Sequence, residues 1–464
     1  MAGYTMTPVK GTGGSAETNP IPPAKGSPVI RLKGKWKTSN GLRDSESYWK
    51  PGQVIDMDES TSSKHTLCIG GTGAGKTDLL FWMAQQVLDQ MTDDDVMVVF
   101  DSKGDFYECF GKHLPADRVS VLGNSREYKA KSVRWNIFRE ILADGEDNET
   151  CRMNAMEIAR TLFAQRMKQT TNAFFPGAAQ DVLASLLSSI CWDAKVDPDV
   201  TARMNNRDLA EYLSSSDAEE LQLQLSAYNS LKATCSYIAG DNEQAQGVIS
   251  ELHSVIREVL LGVFAQEGSF SIREFVRGRG KKVLFLEYDL SIGSVLTPVY
   301  RLLIDLAIKE TLAQASPRGR VYLFLDEYRL TPNLEHADDL VNFGRSKGAR
   351  CFAGLQSIEQ LYDMYGQSRG KAIAAGFGNV FCFRANDEAT MKYVAGLYGD
   401  NLLGIDIVTA KGMSQHMVQP SKVIPDWCMS GQEPGQSVVC LAGKAPFLFH
   451  FDKFDESRRP GRSG

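Results

Sequence analysis

From Thr66 onward the chain alternates two kinds of apolar pattern. HTLCIG, VMVVFD, VLFLEYD, VYLFLDE, CFAGLQ and NVFCFRA are short, almost unbroken apolar runs rich in Val, Leu and Phe. Runs of that length suit strands buried on both faces. The stretches between them, such as DLLFWMAQQVLDQM and TPVYRLLIDLAIKETLAQA, repeat their apolar residues at helical spacing. Such alternation predicts an α/β fold with a mainly parallel central sheet covered by helices on both faces.

The alternation breaks between about 150 and 278, where one helical segment follows another. CRMNAMEIARTLFAQRM, GAAQDVLASLLSSICWDA, NRDLAEYLSS and NEQAQGVISELHSVIREVLLGVF carry that pattern, which predicts an inserted all-α domain. The first 50 residues are rich in Gly, Pro, Ser and Thr around NPIPPAKGSP, and predict a flexible polar arm. RLKGKWK (Arg31 to Lys37) is a basic interruption in it, read either as a solubilising stretch or as a contact with nucleic acid or acidic lipid.

Composition narrows the class. At 464 residues the chain can hold two or three domains. No run of 18 apolar residues occurs and the N-terminus has no signal-peptide core, so the expected location is the cytoplasm. The nine cysteines include no CxxC pair and the six histidines are dispersed, so neither is assigned to a metal or to disulfides. A net charge of −6 argues against coating nucleic acid by bulk electrostatics, but leaves room for a local basic strip or a ring pore.

The strongest chemical signal is GGTGAGKT, which fits G-x-x-x-x-G-K-[ST] between an expected strand and an expected helix. Gly70, Gly71, Thr72, Gly73, Ala74 and Gly75 would turn backbone N–H groups toward the phosphates of ATP. Lys76 would contact the β and γ phosphates and Thr77 would ligate Mg²⁺, with Asp78 opening the helix whose N-terminus adds its dipole. VYLFLDE ends in two acids at the edge where such a loop lies. Asp326 is expected to hold the Mg²⁺ and Glu327 to orient and deprotonate the attacking water, the plainer alternative being a helix N-cap. FDSKGDF ends the second strand, where Lys103 and Asp105 are either a turn or neighbours of the site. In FGRSKGARCFAGLQS, Gln356 tops the next strand and is placed to sense the γ-phosphate. Arg345, near the end of a helix expected over roughly 334–347, could reach the ATP of a neighbouring subunit. Cations at a helix C-terminus also favour its dipole, which would explain Arg345, Lys347 and Arg350 without any function. REFVRGRGKK (Arg273 to Lys282) is read as a solvated loop, or as a contact with nucleic acid or an acidic partner.

Taken together these residues resemble the type IV secretion coupling proteins of the TraD/TrwB kind, in the FtsK–HerA group of RecA-like translocases. The resemblance covers about residues 60 to 450. Besides the phosphate loop it rests on D-x-K-G-[DE]-F at Asp101 to Phe106 and WNIF at Trp135. NAFFPGAAQDVL from Asn172 and the block GRSKGARCFAGLQSIEQLYDMYG from Gly344 complete it. It implies a RecA-like nucleotide-binding domain in two parts, 51–150 and 279–452, around helices 151–278, with an arm at 1–50 and a flexible tail at 453–464. It also implies catalytic roles for Lys76, Glu327, Arg345 (in trans) and Gln356, and a homo-hexamer threaded by single- or double-stranded DNA. Lys347 and Arg350 are left as surface or interface cations. The expected activity is Mg²⁺-dependent ATP hydrolysis that delivers DNA, with or without a bound relaxase, to a secretion channel. Family members usually begin with two transmembrane helices and this chain begins with the polar arm, so docking at the inner membrane through a partner protein is expected. Alternatives are a HerA-like translocase of repair or packaging, and an ATP-switched docking adaptor for protein cargo.

Overall fold

In a computed structural model the described residues are 3–8, 21, 26–37, 48–240, 242–316, 318–331, 333–408 and 414–455. Among them fourteen strands run in chain order: β1 Gly3–Pro8, β2 Pro28–Lys37, β3 Trp49–Asp58, β4 Thr66–Ile69, β5 Val96–Asp101, β6 Val119–Leu122, β7 Lys282–Glu287, β8 Val321–Leu325, β9 Ala349–Leu355, β10 Asn379–Cys382, β11 Asp400–Val408, β12 Ser414–Lys422, β13 Gln436–Leu441 and β14 Phe447–Phe451. An eleven-stranded sheet has the order β3-β2-β14-β13-β10-β4-β9-β8-β5-β7-β6, and a small sheet joins β1, β11 and β12. From β10 to β6 every neighbouring pair is parallel. From β10 outward through β13, β14, β2 and β3 the pairs are antiparallel. The six apolar runs of the sequence are all strands of the parallel part, and β4, β5, β8 and β9 are buried along their whole length. The molecule is an α/β fold built on a mainly parallel central sheet, with one apolar cluster on each face of that sheet.

The segment that interrupts the alternation is helical. Its longest members, Asn148–Gln169 and Phe174–Asp193, pack against each other and against Glu243–Val259. Phe174–Asp193 is long and apolar enough to cross a membrane by composition. In the fold its Val182, Leu183, Leu186 and Leu187 are buried inside the helical cluster. Two chain crossings join helices and sheet, and they run side by side: Asn136 N–H donates to Phe270 O and Phe270 N–H to Arg134 O, both at 2.9 Å. The buried Glu140 carboxylate ties them, accepting from Trp135 Nε1 at 2.9 Å, Ser271 Oγ at 2.8 Å and Ile272 N–H at 2.6 Å.

Several expectations are corrected. Residues 28–37 are not part of a flexible arm; they form β2, whose Ile30 and Leu32 are buried while Arg31, Lys33 and Lys35 face out. Alternation with period two buries enough apolar surface to hold a strand despite the lysines. Residues 49–50 already belong to β3, and the rest of the expected arm lies largely outside the described residues. The expected tail at 453–464 is likewise ordered at its start: Phe454 is buried against Phe81, Trp82 and Phe110. Residues 456–464 lie outside the described residues. REFVRGRGKK is not a solvated loop. Arg273 and Arg277 pair with Asp144 and Glu310, and Arg279 is buried with Nη1 on Arg320 O. The helix expected over 334–347 is shorter, Ala337–Phe343 followed by a 3-10 turn over Gly344–Lys347.

His65, just before β4, sits at φ +56 and is almost fully buried, its Nδ1 accepting the Cys351 N–H at 3.1 Å. Burial, helped by the nearby Arg350 charge, pushes its pKa down from 6.5 to about 4. The unfolded chain therefore binds this proton more readily than the folded one. Stability is fully present above about pH 6.5 and lost as pH falls toward 4, by about 1.4 kcal/mol per pH unit. Asparagine tolerates the left-handed backbone, so His65→Asn should flatten the fall of Tm between pH 6.5 and 4.5. Equal acid sensitivity in both proteins would show that another group is responsible.

Candidate nucleotide site

Parallel strands deliver whatever follows them to one edge of a sheet, and four adjacent strands do so here. The loop Gly70–Gly75 leaves β4 and enters the helix Lys76–Gln90. Gly71 N–H donates to Arg384 O at 2.8 Å and Gly70 N–H to Leu355 O at 3.1 Å, so the loop is pinned by both neighbouring strands. Gly75 holds φ +110 at the helix start, and a Cβ there would lie 3.0 Å from the Gly435 nitrogen. Only glycine fits that conformation and that approach. The helix has no side-chain N-cap, which leaves its first N–H groups for an external anion.

The chemical groups converge on this loop. Lys76 is buried, and its Nζ donates to Gly70 O at 2.6 Å and Gly71 O at 3.1 Å. Thr77 Oγ1 donates to Asp326 Oδ1 at 3.2 Å, joining the start of the helix to the end of β8. Asp326 is 4% exposed; burial raises its pKa and the Lys103 charge opposes that rise. Burial lowers the pKa of Lys76, against the pull of Glu327 and Asp326. A hydroxyl and a carboxylate at hydrogen-bond distance form the hard-oxygen donor pair that Mg²⁺ takes beside nucleotide phosphates, so these residues fit that ion. Gln356, immediately after β9, sets Nε2 3.3 and 3.4 Å from the two carboxylate oxygens of Glu327. Asp78 lies in the first turn of the helix.

Two neighbours complete the edge. Asp101 ends β5 fully buried, with Oδ2 accepting the Tyr107 N–H at 2.9 Å, and burial pushes its pKa up to about 7. Lys103, two residues on, is exposed and acts electrostatically on both Asp326 and Lys76. Of the pair weighed in the sequence, Lys103 adjoins the site, while Asp105 opens the next short helix and faces Asp101. Pairing by Arg384 and Gly435 with the loop was not legible, because main-chain atoms make those contacts.

Arg345 is not brought into this cluster. It precedes β9, whereas the site follows the strands, and the seven residues of β9 separate the two by about 23 Å. Its side chain is exposed and makes no ion pair among the described residues. Of the two cations expected at the surface or an interface, Lys347 is half-buried with Nζ donating to Gln314 O at 2.7 Å, and Arg350 is buried and paired with Glu59.

Residues 52–415 match the family described as the type IV secretion-system coupling protein DNA-binding domain. The coupling protein TraD of Escherichia coli is 24% identical over 348 residues, 73% of this chain and 44% of that protein. The chain thus spans less than half the length of that relative. Among solved structures, the unbound monoclinic form of the bacterial conjugative coupling protein TrwB has a TM-score of 0.70 at 21% identity, covering 93% of this chain and 91% of the other. A TrwB structure in complex with ADP and Mg²⁺ has a TM-score of 0.68 at 20% identity, covering 94% and 98%.

The geometry of Gly75 gives a direct test. Gly75→Ala forces an L side chain into a left-handed conformation at a cost of about 1–3 kcal/mol. Equilibrium binding of a fluorescent ATP analogue should weaken about tenfold or more, with far-UV circular dichroism unchanged. Unaltered affinity would exclude this loop as the phosphate cradle.

Proposed function

The chain belongs to the family of the type IV secretion-system coupling protein DNA-binding domain, and from that premise we propose that it is an ATP-hydrolysing motor that moves DNA, free or bound to a relaxase, toward a secretion channel. The observation that carries this reading is the meeting of phosphate loop, buried acid and Glu327–Gln356 pair at one sheet edge. In this reading Lys76 transfers its hydrogen bonds from the Gly70 and Gly71 carbonyls to the β and γ phosphates. Thr77 and Asp326 hold Mg²⁺, which when bound supplies positive charge against the phosphates. Glu327 orients the attacking water in line with the γ-phosphate and takes its proton. Gln356 holds the Glu327 carboxylate and relays its movement into the helix Ile358–Tyr365 that starts two residues later. Positioned charge supplies most of the barrier lowering for phosphoryl transfer, and a further cation facing the γ-phosphate from a neighbouring subunit would add to the exposed Lys103 already at the edge.

Arg345 supplies that cation from a neighbouring subunit. Its place about 23 Å from its own phosphate loop, with a side chain exposed and without an ion pair among the described residues, supports action across an interface. In this reading the assembly is a ring, a homo-hexamer in which each site lies between two subunits and DNA runs through the centre. The protein works in the cytoplasm, held at the inner membrane through a docking partner.

ATP turnover by the purified chain should rise on adding single- or double-stranded DNA; hydrolysis indifferent to both would exclude the motor and favour a nucleotide-switched adaptor. Glu327→Gln should lower kcat at least about 100-fold while retaining nucleotide binding. Arg345→Ala should reduce turnover about 10³-fold, again with binding retained. Mixing it with Lys76→Ala subunits should restore part of the rate, because one site then combines an intact loop with an intact arginine. A co-assembled mixture as inactive as either parent would rule out action in trans.

A further inference from the structure

Three cations lie close together in the sequence at 345, 347 and 350, and the structure gives them different work. Arg350, the second residue of β9, is 8% exposed and takes no part in the nucleotide site. Its guanidinium spans three acceptors. Nη1 donates to the Arg345 carbonyl at 3.2 Å and to the Ala349 carbonyl at 2.7 Å. Nε donates to Glu59 Oε1 at 3.2 Å, and Nη2 pairs with the same carboxylate. Glu59 opens the short helix Glu59–Ser62 directly after β3, and its other oxygen lies 3.1 Å from Arg320 Nη2. The same turn is fixed elsewhere too: Gly348, at φ +88, donates its N–H to the Arg345 carbonyl at 3.3 Å, and Lys347 Nζ holds Gln314 O at 2.7 Å. Backbone anchors thus surround Arg345, while its own side chain has none among the described residues.

We propose that Arg350 is a positioning residue which, anchored on Glu59, fixes the turn that presents Arg345 to the neighbouring subunit. This rests on the trans role of Arg345 set out above. A planar guanidinium can hold a carboxylate with one edge and carbonyls with the other, whereas a lysine ammonium cannot span that set. The carbonyl it holds belongs to Arg345 itself, so any slack in the contact moves the Cα that carries the finger. Displacing a catalytic group by about 1 Å is enough to cost about 100-fold in rate. Glu59 comes from the end of the β2–β3 hairpin, so the N-terminal hairpin is part of the support for a group that acts in another subunit.

Steady-state kinetics and subunit mixing test this in the full chain. Arg350→Ala should lower kcat about 10- to 100-fold, with binding of a non-hydrolysable ATP analogue within about twofold of the parent. Mixed with Lys76→Ala subunits, which keep an intact Arg345 turn, it should regain turnover to the same degree as Arg345→Ala does. Arg350→Lys retains the charge opposite Glu59 but not the fork. It should show the same kcat loss and the same rescue, and it serves if the alanine variant does not fold. Parental turnover in both variants would overturn the proposal. So would a loss that mixing fails to rescue while Arg345→Ala is rescued, since that pattern marks a subunit damaged as a whole. If Arg345→Ala itself is not rescued, the trans reading has failed first, and the positioning role falls with it for that separate reason.

Discussion

Strand direction governs the molecule. From β10 to β6 the strands are parallel, so every residue that follows a strand reaches one edge and every residue that precedes one reaches the other. The phosphate loop, Asp326, Glu327 and Gln356 follow strands and Asp101 ends one, and all gather at the first edge. Arg345 precedes β9 and is sent to the second. Strand β9 therefore carries Gln356 at one end and Arg345 near the other, and the fold holds the two apart. That separation follows from backbone polarity, before any side chain is considered.

The site edge is also an electrostatic balance. Lys76, Asp326 and Asp101 are buried, and burial pushes each toward its neutral form. The attraction between Lys76 and Asp326, with Thr77 on Asp326 and exposed Lys103 nearby, acts the other way for that pair, while Asp101 is opposed by the Tyr107 and Phe106 N–H groups and feels Asp326 as a repulsion. Such a cluster is responsive to an arriving polyanion and cation because its groups are held in place already.

The legible parts of the sequence were those where spacing alone determines position. Uninterrupted apolar runs became the parallel strands, and GGTGAGKT became the strand–loop–helix junction with the glycine conformations it needs. Partners remote in sequence were not legible. Arg350 read as a surface cation because Glu59 lies 291 positions away, and Arg273 and Arg277 read as solvated because Asp144 and Glu310 belong to other elements. Strand β2 was hidden for a different reason: Pro, Gly and Lys dominate its composition, and only the alternation of Ile30 and Leu32 with charged residues marks it as paired. Phe454 was missed because a single aromatic carries no period at all.

The two crossings between sheet and helices have a mechanical meaning. A body attached by one strand of chain can swivel about it; a body attached by two that lie side by side cannot. With Arg134 and Asn136 hydrogen-bonded to Phe270 and Glu140 fastening both crossings, the helical layer is tied to the sheet along the line of those paired segments. Movement about that line is checked farther out by Lys309 on Glu157 and Arg301 on the Thr161 carbonyl. A shift of the sheet against the helices is therefore opposed more strongly as rotation than as tilt about that line.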